Sequence, residues 1–351
     1  MRILVNDIAA SSGGVLTVLK DFYKFVKEND KENEWLFLVC DDYIESTENI
    51  HVIKLPEIKK SYLKRLAFDF LTGKKFIKKL NVDYVFSLQN TLVHGVDVPQ
   101  IVYQHQPLPF QDVKNYSFLK KDERKMAVYQ HLIGKTIFLS AKKADKLIVQ
   151  TEWMIDAIVK KCGVDKRKIV KIAPNIENSE NLRVDVERKN NMFFYPTSAM
   201  PYKNISCIYE ACKILESRNL DFTVKITVPD GKAQQNIKYI GQIPRNEVFA
   251  NLCEGALIFP SYIETFGYPL IEAAQMGAIV LAADCDYAHE VLSGYENVYY
   301  FNPFEPKELA VLIEKVISGE IERFDTFKKV EESNNTWENV VNEIISTKKE
   351  I

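Results

Sequence analysis

Short continuous apolar runs alternate along this chain with segments in which apolar residues return every three or four positions. The runs over residues 2–6, 35–39, 50–54, 82–86, 100–103, 146–149 and 168–172 have the length and the β-branched and aromatic content of buried strands. Residues 15–27 place Val15, Leu16, Leu19, Phe22, Tyr23 and Val26 on one face and predict a helix. A long helix is expected over 126–140, and another after Thr151, which caps its start. Residues 177–191 then break the pattern with a polar stretch crowded with Asn and Glu. The alternation restarts with strands at 192–195, 222–228, 237–240 and 255–259. Helices are expected at 205–216, 246–253, from Pro269 to Gly277, at 306–318 and at 336–346. Strand–helix alternation on both sides of a polar break predicts an α/β protein of two Rossmann-like, doubly wound domains. The expected boundaries are 1–178, a linker at 179–190, a second domain at 191–335 and a separate terminal helix at 336–351.

The richest stretch is Phe-Pro-Ser-Tyr-Ile-Glu-Thr-Phe-Gly-Tyr-Pro-Leu-Ile-Glu, from Phe259 to Glu272. The strand before it ends at Pro260-Ser261, and Glu264 sits in the loop that follows. Gly267 frees the backbone, and Pro269 fits the first helical turn, where its missing N–H costs nothing. Glu272 therefore lies about one turn inside a helix whose unpaired first amides are a natural anion site. Two carboxylates beside such a site repel phosphate but accept hydroxyl hydrogen bonds well. A ligand with hydroxyls at both ends and a diphosphate between them, a nucleotide sugar, fits that arrangement. Taken alone, the spacing favours the plainer reading of a loop charge and an exposed helix residue.

The residues around the pair resemble the retaining nucleotide-sugar glycosyltransferases of family 4, which have the GT-B fold. That family carries Glu-x7-Glu in a Pro-Ser…Glu-x-Phe-Gly-x-Pro-x-x-Glu-Ala frame. This chain reads Pro260-Ser261…Glu264-Thr265-Phe266-Gly267-Tyr268-Pro269…Glu272-Ala273 and continues similarly through Gly277 to Glu290-Val291. The resemblance implies two domains facing each other across a cleft. The N-terminal one would take the acceptor and the C-terminal one the nucleotide sugar, with the last helix crossing back to the first domain. It implies that Glu264 holds the transferred sugar and steadies positive charge on its ring. Glu272 would hold the ribose diol, with Thr265, Phe266, Gly267 and Tyr268 lining the donor.

Other candidates gain meaning from the same resemblance. Gly13 and Gly14 follow the first strand; a Gly-Gly turn is weak alone, but in the family this loop faces the donor diphosphate and the acceptor. His105 ends the strand at 100–103, where open α/β sheets bind ligands, and matches a family histidine beside the sugar, although the usual His-Asp is His105-Gln106 here. Read by itself, it is as well explained as a structural histidine. Lys203-Asn204 matches a cation that grips the diphosphate, whereas the family's accompanying Arg is Ser198 in this chain. Serine donates a hydrogen bond but brings no charge. Gln242 and Ile243 occupy the loop that lies against the base in related enzymes. Arg245 follows closely and is a cation that could replace the missing one, but its spacing gives no warrant for that role.

Composition narrows the reading. At 351 residues, 46% hydrophobic and 27% charged, with net charge -2, the chain is an ordinary globular protein with no basic excess for nucleic acid. Six scattered cysteines without a Cys-x-x-Cys pair read as buried hydrophobes in a reducing compartment. No apolar run approaches the ~20 residues of a membrane span, and the start is a strand, so a cytoplasmic location is expected. No cluster of His, Cys and Asp with metal-ligand spacing is read along the chain, so neither a metal nor another cofactor is expected, and the helix dipole with Lys203 would serve instead. Residues 61–80 mix Tyr62, Leu63, Leu66, Phe68, Phe70, Phe76 and Ile77 with many lysines. They form either a helix pair with a solvated basic face or a contact with the anionic inner membrane surface.

The expected function is transfer of a sugar, of the hexosyltransferase type, from a nucleotide-diphosphate sugar to a hydroxyl acceptor with retention and without a metal. By analogy this serves bacterial surface polysaccharide or lipid-linked glycan assembly. An epimerase or phosphorylase is disfavoured by the motif frame. A GT-B protein that kept nucleotide-sugar binding and lost catalysis remains the alternative, because of Ser198.

Overall fold

The computed structural model describes residues 1–11, 13–176, 178–329 and 336–349. The chain forms two compact units, one of residues 1–174 with the C-terminal segment from 334, the other of residues 175–333.

The first unit begins with β1 (Arg2–Asn6), α1 (Gly13–Asn29), β2 (Glu34–Val39) and β3 (Ile50–Lys54). Next come α2 (Pro56–Lys59), α3 (Tyr62–Ala67), α4 (Gly73–Leu80), β4 (Tyr84–Ser87) and β5 (Gln100–Tyr103). It continues through α5 (Arg124–Ala127), α6 (Gly134–Lys143), β6 (Lys146–Val149), α7 (Glu152–Cys162) and β7 (Ile169–Lys171). Seven parallel strands lie in the order β3-β2-β1-β4-β5-β6-β7. The inner strands are nearly all buried, because helices cover both faces of a parallel sheet and the apolar runs must be continuous, whereas the edge strands β3 and β7 are partly open. Strand order reverses between β1 and β4, so the segments leaving these strands and β5 share the carboxyl edge where such sheets hold ligands.

Two helical runs differ from the expectation of a helix pair at 61–80 and one long helix at 126–140. Between α3 and α4 the chain winds as a π-helix over Phe68–Thr72, and between α5 and α6 as another over Val128–Ile133. Gly73 closes the first one. A Cβ there would fall 2.6 Å from the Phe68 carbonyl and 2.7 Å from Val93, so only glycine lets the wide turn close against its neighbour. Apolar periodicity cannot reveal one extra residue per turn.

The second unit comprises β8 (Met192–Tyr195), α8 (Ile205–Glu216), β9 (Thr223–Ile226), β10 (Ile237–Tyr239), α9 (Arg245–Glu254) and β11 (Ala256–Phe259). It continues with α10 (Tyr268–Gln275), β12 (Val280–Ala283), α11 (Asp286–Val291), β13 (Val298–Phe301) and α12 (Pro306–Ser318). Its six parallel strands run β10-β9-β8-β11-β12-β13. Their order reverses between β8 and β11, which pair directly through Phe193–Ala256 and Phe194–Leu257. The polar segment before β8 lies along this unit: the Lys189 amide donates to the Glu254 carbonyl (2.8 Å) and Arg183 Nε to the Gln275 carbonyl (2.9 Å). The first boundary, expected after residue 178, differs by four residues from the division at 174/175, and residue 335, the expected end of the second domain, lies outside the described residues.

The final helix, α13 (Thr336–Ser346), completes the core of the first unit. Val340 and Ile344 are fully buried there, and Trp337 packs 5.1 Å from Phe22, itself edge-on to Trp35 and Phe86. Tyr84 also donates to the Ile345 carbonyl (2.9 Å).

Candidate functional site

In the second unit the site is built by the two loops that leave β8 and β11 at the strand-order reversal. The first loop turns at Pro201–Lys203 and reaches Asn204 in the left-handed region (φ 55°), where asparagine is tolerated. Asn204 Nδ2 donates to the carbonyls of Pro303 (2.7 Å) and Pro260 (3.3 Å), while Tyr195 Oη donates to the Lys203 carbonyl (2.7 Å). The second loop is fastened to the first: the Tyr262 amide and Ser261 Oγ both donate to the Tyr202 carbonyl (3.2 and 3.3 Å). From beneath, Tyr287 Oη donates to the Ser261 carbonyl (2.5 Å).

This stitching brings Lys203 Nζ 2.5 Å from Glu264 Oε1, with side chains only 18% and 15% exposed. A charge-assisted pair so withdrawn from water is held by its surroundings, unlike a surface ion pair. Gly267 then adopts φ 88°, a conformation that strains any other residue, and turns the chain into α10. Phe266 is buried with its ring 5.4 Å from Tyr268, which is exposed, and Thr265 is half-buried. Glu272, on the fifth residue of α10, is 12% exposed, and its Oε1 lies 3.3 Å from Nη2 of Arg245 at the start of α9. Gln242 (exposed) and Ile243 (half-buried) lie just before α9, after Gly241. Ser198 is exposed in the β8 loop.

Gly13, Gly14 and His105 belong to the first unit. Gly13 (φ 63°) and Gly14 open α1, and a Cβ on either would meet nothing within 4 Å, so the surface over them is clear. His105 follows β5; its amide donates to Asn90 Oδ1 (2.8 Å) and its ring stands edge-on 5.5 Å from Tyr103. Part of the residue reaches solvent, yet the ring is enclosed, and burial pushes its pKa down to about 4. The imidazole is therefore neutral at ordinary pH.

Two features were missed in the sequence. Spacing gives Arg245 no warrant for a role, and the structure sets it against Glu272. At the carboxyl edge of the first sheet, Asn6, Asp7, Gln89 and Gln104 are buried polar residues with side-chain atoms lacking a hydrogen-bond partner among the described residues. Burial pushes the Asp7 carboxyl up to about 7, against the opposing pull of Arg65, the Ala10 amide and Lys59. The signal was present as Asn6-Asp7 ending the first strand, a polar pair where the apolar run stops.

The fold and the second unit's site define a glycosyltransferase of GT-B architecture. Residues 178–333 match the family model for glycosyl transferases group 1. Among curated proteins the chain is similar to the O-antigen chain mannosyltransferase RfbU of Salmonella typhimurium, 24% identical over 308 residues that span 80% of this chain and 86% of the relative. It is also 22% identical over 200 residues to the serotype-specific mannosyltransferase WbdA of Escherichia coli, covering 52% of this chain and 24% of that protein. Among solved structures, WaaG, a glycosyltransferase involved in lipopolysaccharide biosynthesis, superposes with a TM-score of 0.66 at 14% identity, covering 98% of this chain and 100% of that one. The lipopolysaccharide outer core galactosyltransferase WaaB gives 0.64 at 16%, over 99% of each chain. Anabaena HepE in complex with UDP-glucose gives 0.63 at 15%, over 92% and 91%. No helix among the described residues is long and apolar enough to cross a membrane.

Proposed function

We propose that this protein transfers a hexosyl unit, with retention and without a metal, from a nucleotide-diphosphate sugar to a hydroxyl acceptor in bacterial surface-glycan assembly. The observation that carries the reading is the Lys203–Glu264 pair, set by the β8 and β11 loops at the strand-order reversal of a unit that matches the group 1 transferase model. The roles of RfbU, WaaB and WaaG support the acceptor class, and the UDP-glucose complex of HepE supports the donor class.

In this reading Lys203 and the amides opening α10 meet the charge of the leaving diphosphate, so no metal is required of them. Glu264 accepts hydrogen bonds from the sugar and opposes the positive charge that grows on its ring. Glu272 accepts the ribose diol, and Gln242 and Ile243 lie against the base. Tyr268, Thr265 and the Phe266–Gly267 turn line the same ligand, and Ser198 offers a hydroxyl to the phosphates. Gly13, Gly14 and neutral His105 serve the acceptor unit. Leu63 (76% exposed), Leu71 (72%) and Leu119 (89%), standing among lysines, would carry a peripheral contact with the anionic cytoplasmic face of the membrane. Ser198 favours a second reading, a nucleotide-sugar-binding protein without turnover.

The test is release of nucleotide from UDP-glucose, UDP-galactose and GDP-mannose in the presence of lipid-linked acceptors, with and without EDTA. The anomer of the product is read by NMR. Turnover that survives EDTA and gives an α-linked product from an α-linked donor is expected. Binding without turnover selects the second reading, and absence of both sinks the proposal.

A further inference from the structure

The donor loops present two carboxylates, Glu264 and Glu272, to a ligand that carries a diphosphate. Lys203 offsets Glu264 at 2.5 Å. Glu272, only 12% exposed, would be left as a net negative charge beside an incoming anion if nothing balanced it. Arg245 balances it. Its Nη2 lies 3.3 Å from Glu272 Oε1, and its guanidinium stands over the ring of Phe249 on the same helix, 5.2 Å from the centroid. Unlike Glu272, Arg245 is 56% exposed, so the pair is asymmetric: the acid is largely withdrawn from solvent and the guanidinium stands largely in it.

A carboxylate that takes both hydroxyls of a diol has little capacity left for a guanidinium. A released guanidinium keeps five donors in a planar fork suited to phosphate oxygens. We propose that Arg245 is a donor-binding cation. It holds Glu272 in the empty protein, and it passes to the diphosphate when the nucleotide's diol takes Glu272. This rests on the donor-site reading above and deepens it, since Ser198 brings no charge and Arg245 supplies the second cation. The ligand brings its own replacement for each partner, so the carboxylate never stands uncompensated.

The experiment compares wild type, Arg245→Ala and Arg245→Lys by calorimetry with UDP, GDP and ADP. Uridine, guanosine and adenosine are measured by competition against the diphosphate that the wild type binds. Arg245→Ala is expected to weaken the diphosphate by about 10-fold or more, the worth of one charged hydrogen bond. The matching nucleoside should bind unchanged or tighter, Arg245→Lys should fall between, and the salt dependence of diphosphate binding should flatten in Arg245→Ala. Unliganded melting temperatures show that the variants are folded, and Arg245→Lys carries the comparison if the alanine variant is not. Equal losses for nucleoside and diphosphate, or no loss, overturn the proposal while the donor site stands. A wild type that binds none of the three diphosphates overturns the donor-site reading, and the role of Arg245 with it.

Discussion

Lys203 Nζ and Glu264 Oε1 lie 2.5 Å apart although 61 residues separate them in the chain. Both charges sit where the same unit's two central strands release their loops. Each is therefore more costly to remove alone than together with its partner.

Lys203→Met should destabilise the second unit by about 1–3 kcal/mol, because Glu264 is left with a largely desolvated charge. Adding Glu264→Gln should restore most of that stability while turnover stays about 10²–10³-fold below wild type. Urea denaturation and steady-state rates of the two variants check this. Full turnover in Lys203→Met would remove Lys203 from the chemistry.

Tyr195 and Tyr287 fix the loops from below, through the Lys203 and Ser261 carbonyls. Replacing either with Phe leaves a buried carbonyl without its donor and should cost about 1–3 kcal/mol. Nucleotide affinity should fall in both variants although neither tyrosine is assigned to the ligand. Unchanged affinity would mean that the loops are held by their other bonds alone.

Asp7 makes the first unit sensitive to pH. Its folded pKa, about 7, stands above the ordinary 3.8, so between about pH 4 and 7 the unfolded chain ionises while the folded one keeps its proton. Stability is thus highest at the acid end and falls as pH rises through that window, by an amount on the order of a few kcal/mol. Asp7→Asn should match wild type near pH 4 and exceed it at pH 8, read by urea denaturation of the full chain. The opposite order would show Asp7 ionised beside Arg65 and Lys59.

His105 acts in the reverse sense. With its pKa lowered from 6.5 to about 4, it stays neutral while the unfolded chain takes up a proton, so its contribution is intact above about pH 6.5 and is lost as pH falls toward 4. Ring NMR should show no titration above about pH 5, and the pH–rate profile should carry no limb from His105 between pH 5 and 8. A ring that titrates near 6.5 would place it in open solvent.

What the chain revealed in advance followed from locality. Glu264, Gly267, Pro269 and Glu272 lie within one strand–loop–helix unit, so their order in sequence is also their order in space. Alternating strands and helices made the two parallel sheets legible for the same reason. The Lys203–Glu264 and Arg245–Glu272 contacts are not legible in the sequence, because approaches between the segments that follow β8, β10 and β11 depend on strand order, which no local pattern specifies. The π-helical turns at Phe68–Thr72 and Val128–Ile133 are not legible because apolar periodicity does not register one extra residue in a turn. Asp7 escaped because its burial is a tertiary property.

The placement of α13 orders events during synthesis. The first unit's core needs Trp337, Val340 and Ile344, which leave the ribosome after all of the second unit. The later unit can therefore finish folding while the earlier one still waits for its last helix. Until release, the nascent chain carries a completed second unit and a first unit with a gap in its core, which gives chaperones a reason to attend this protein at its end.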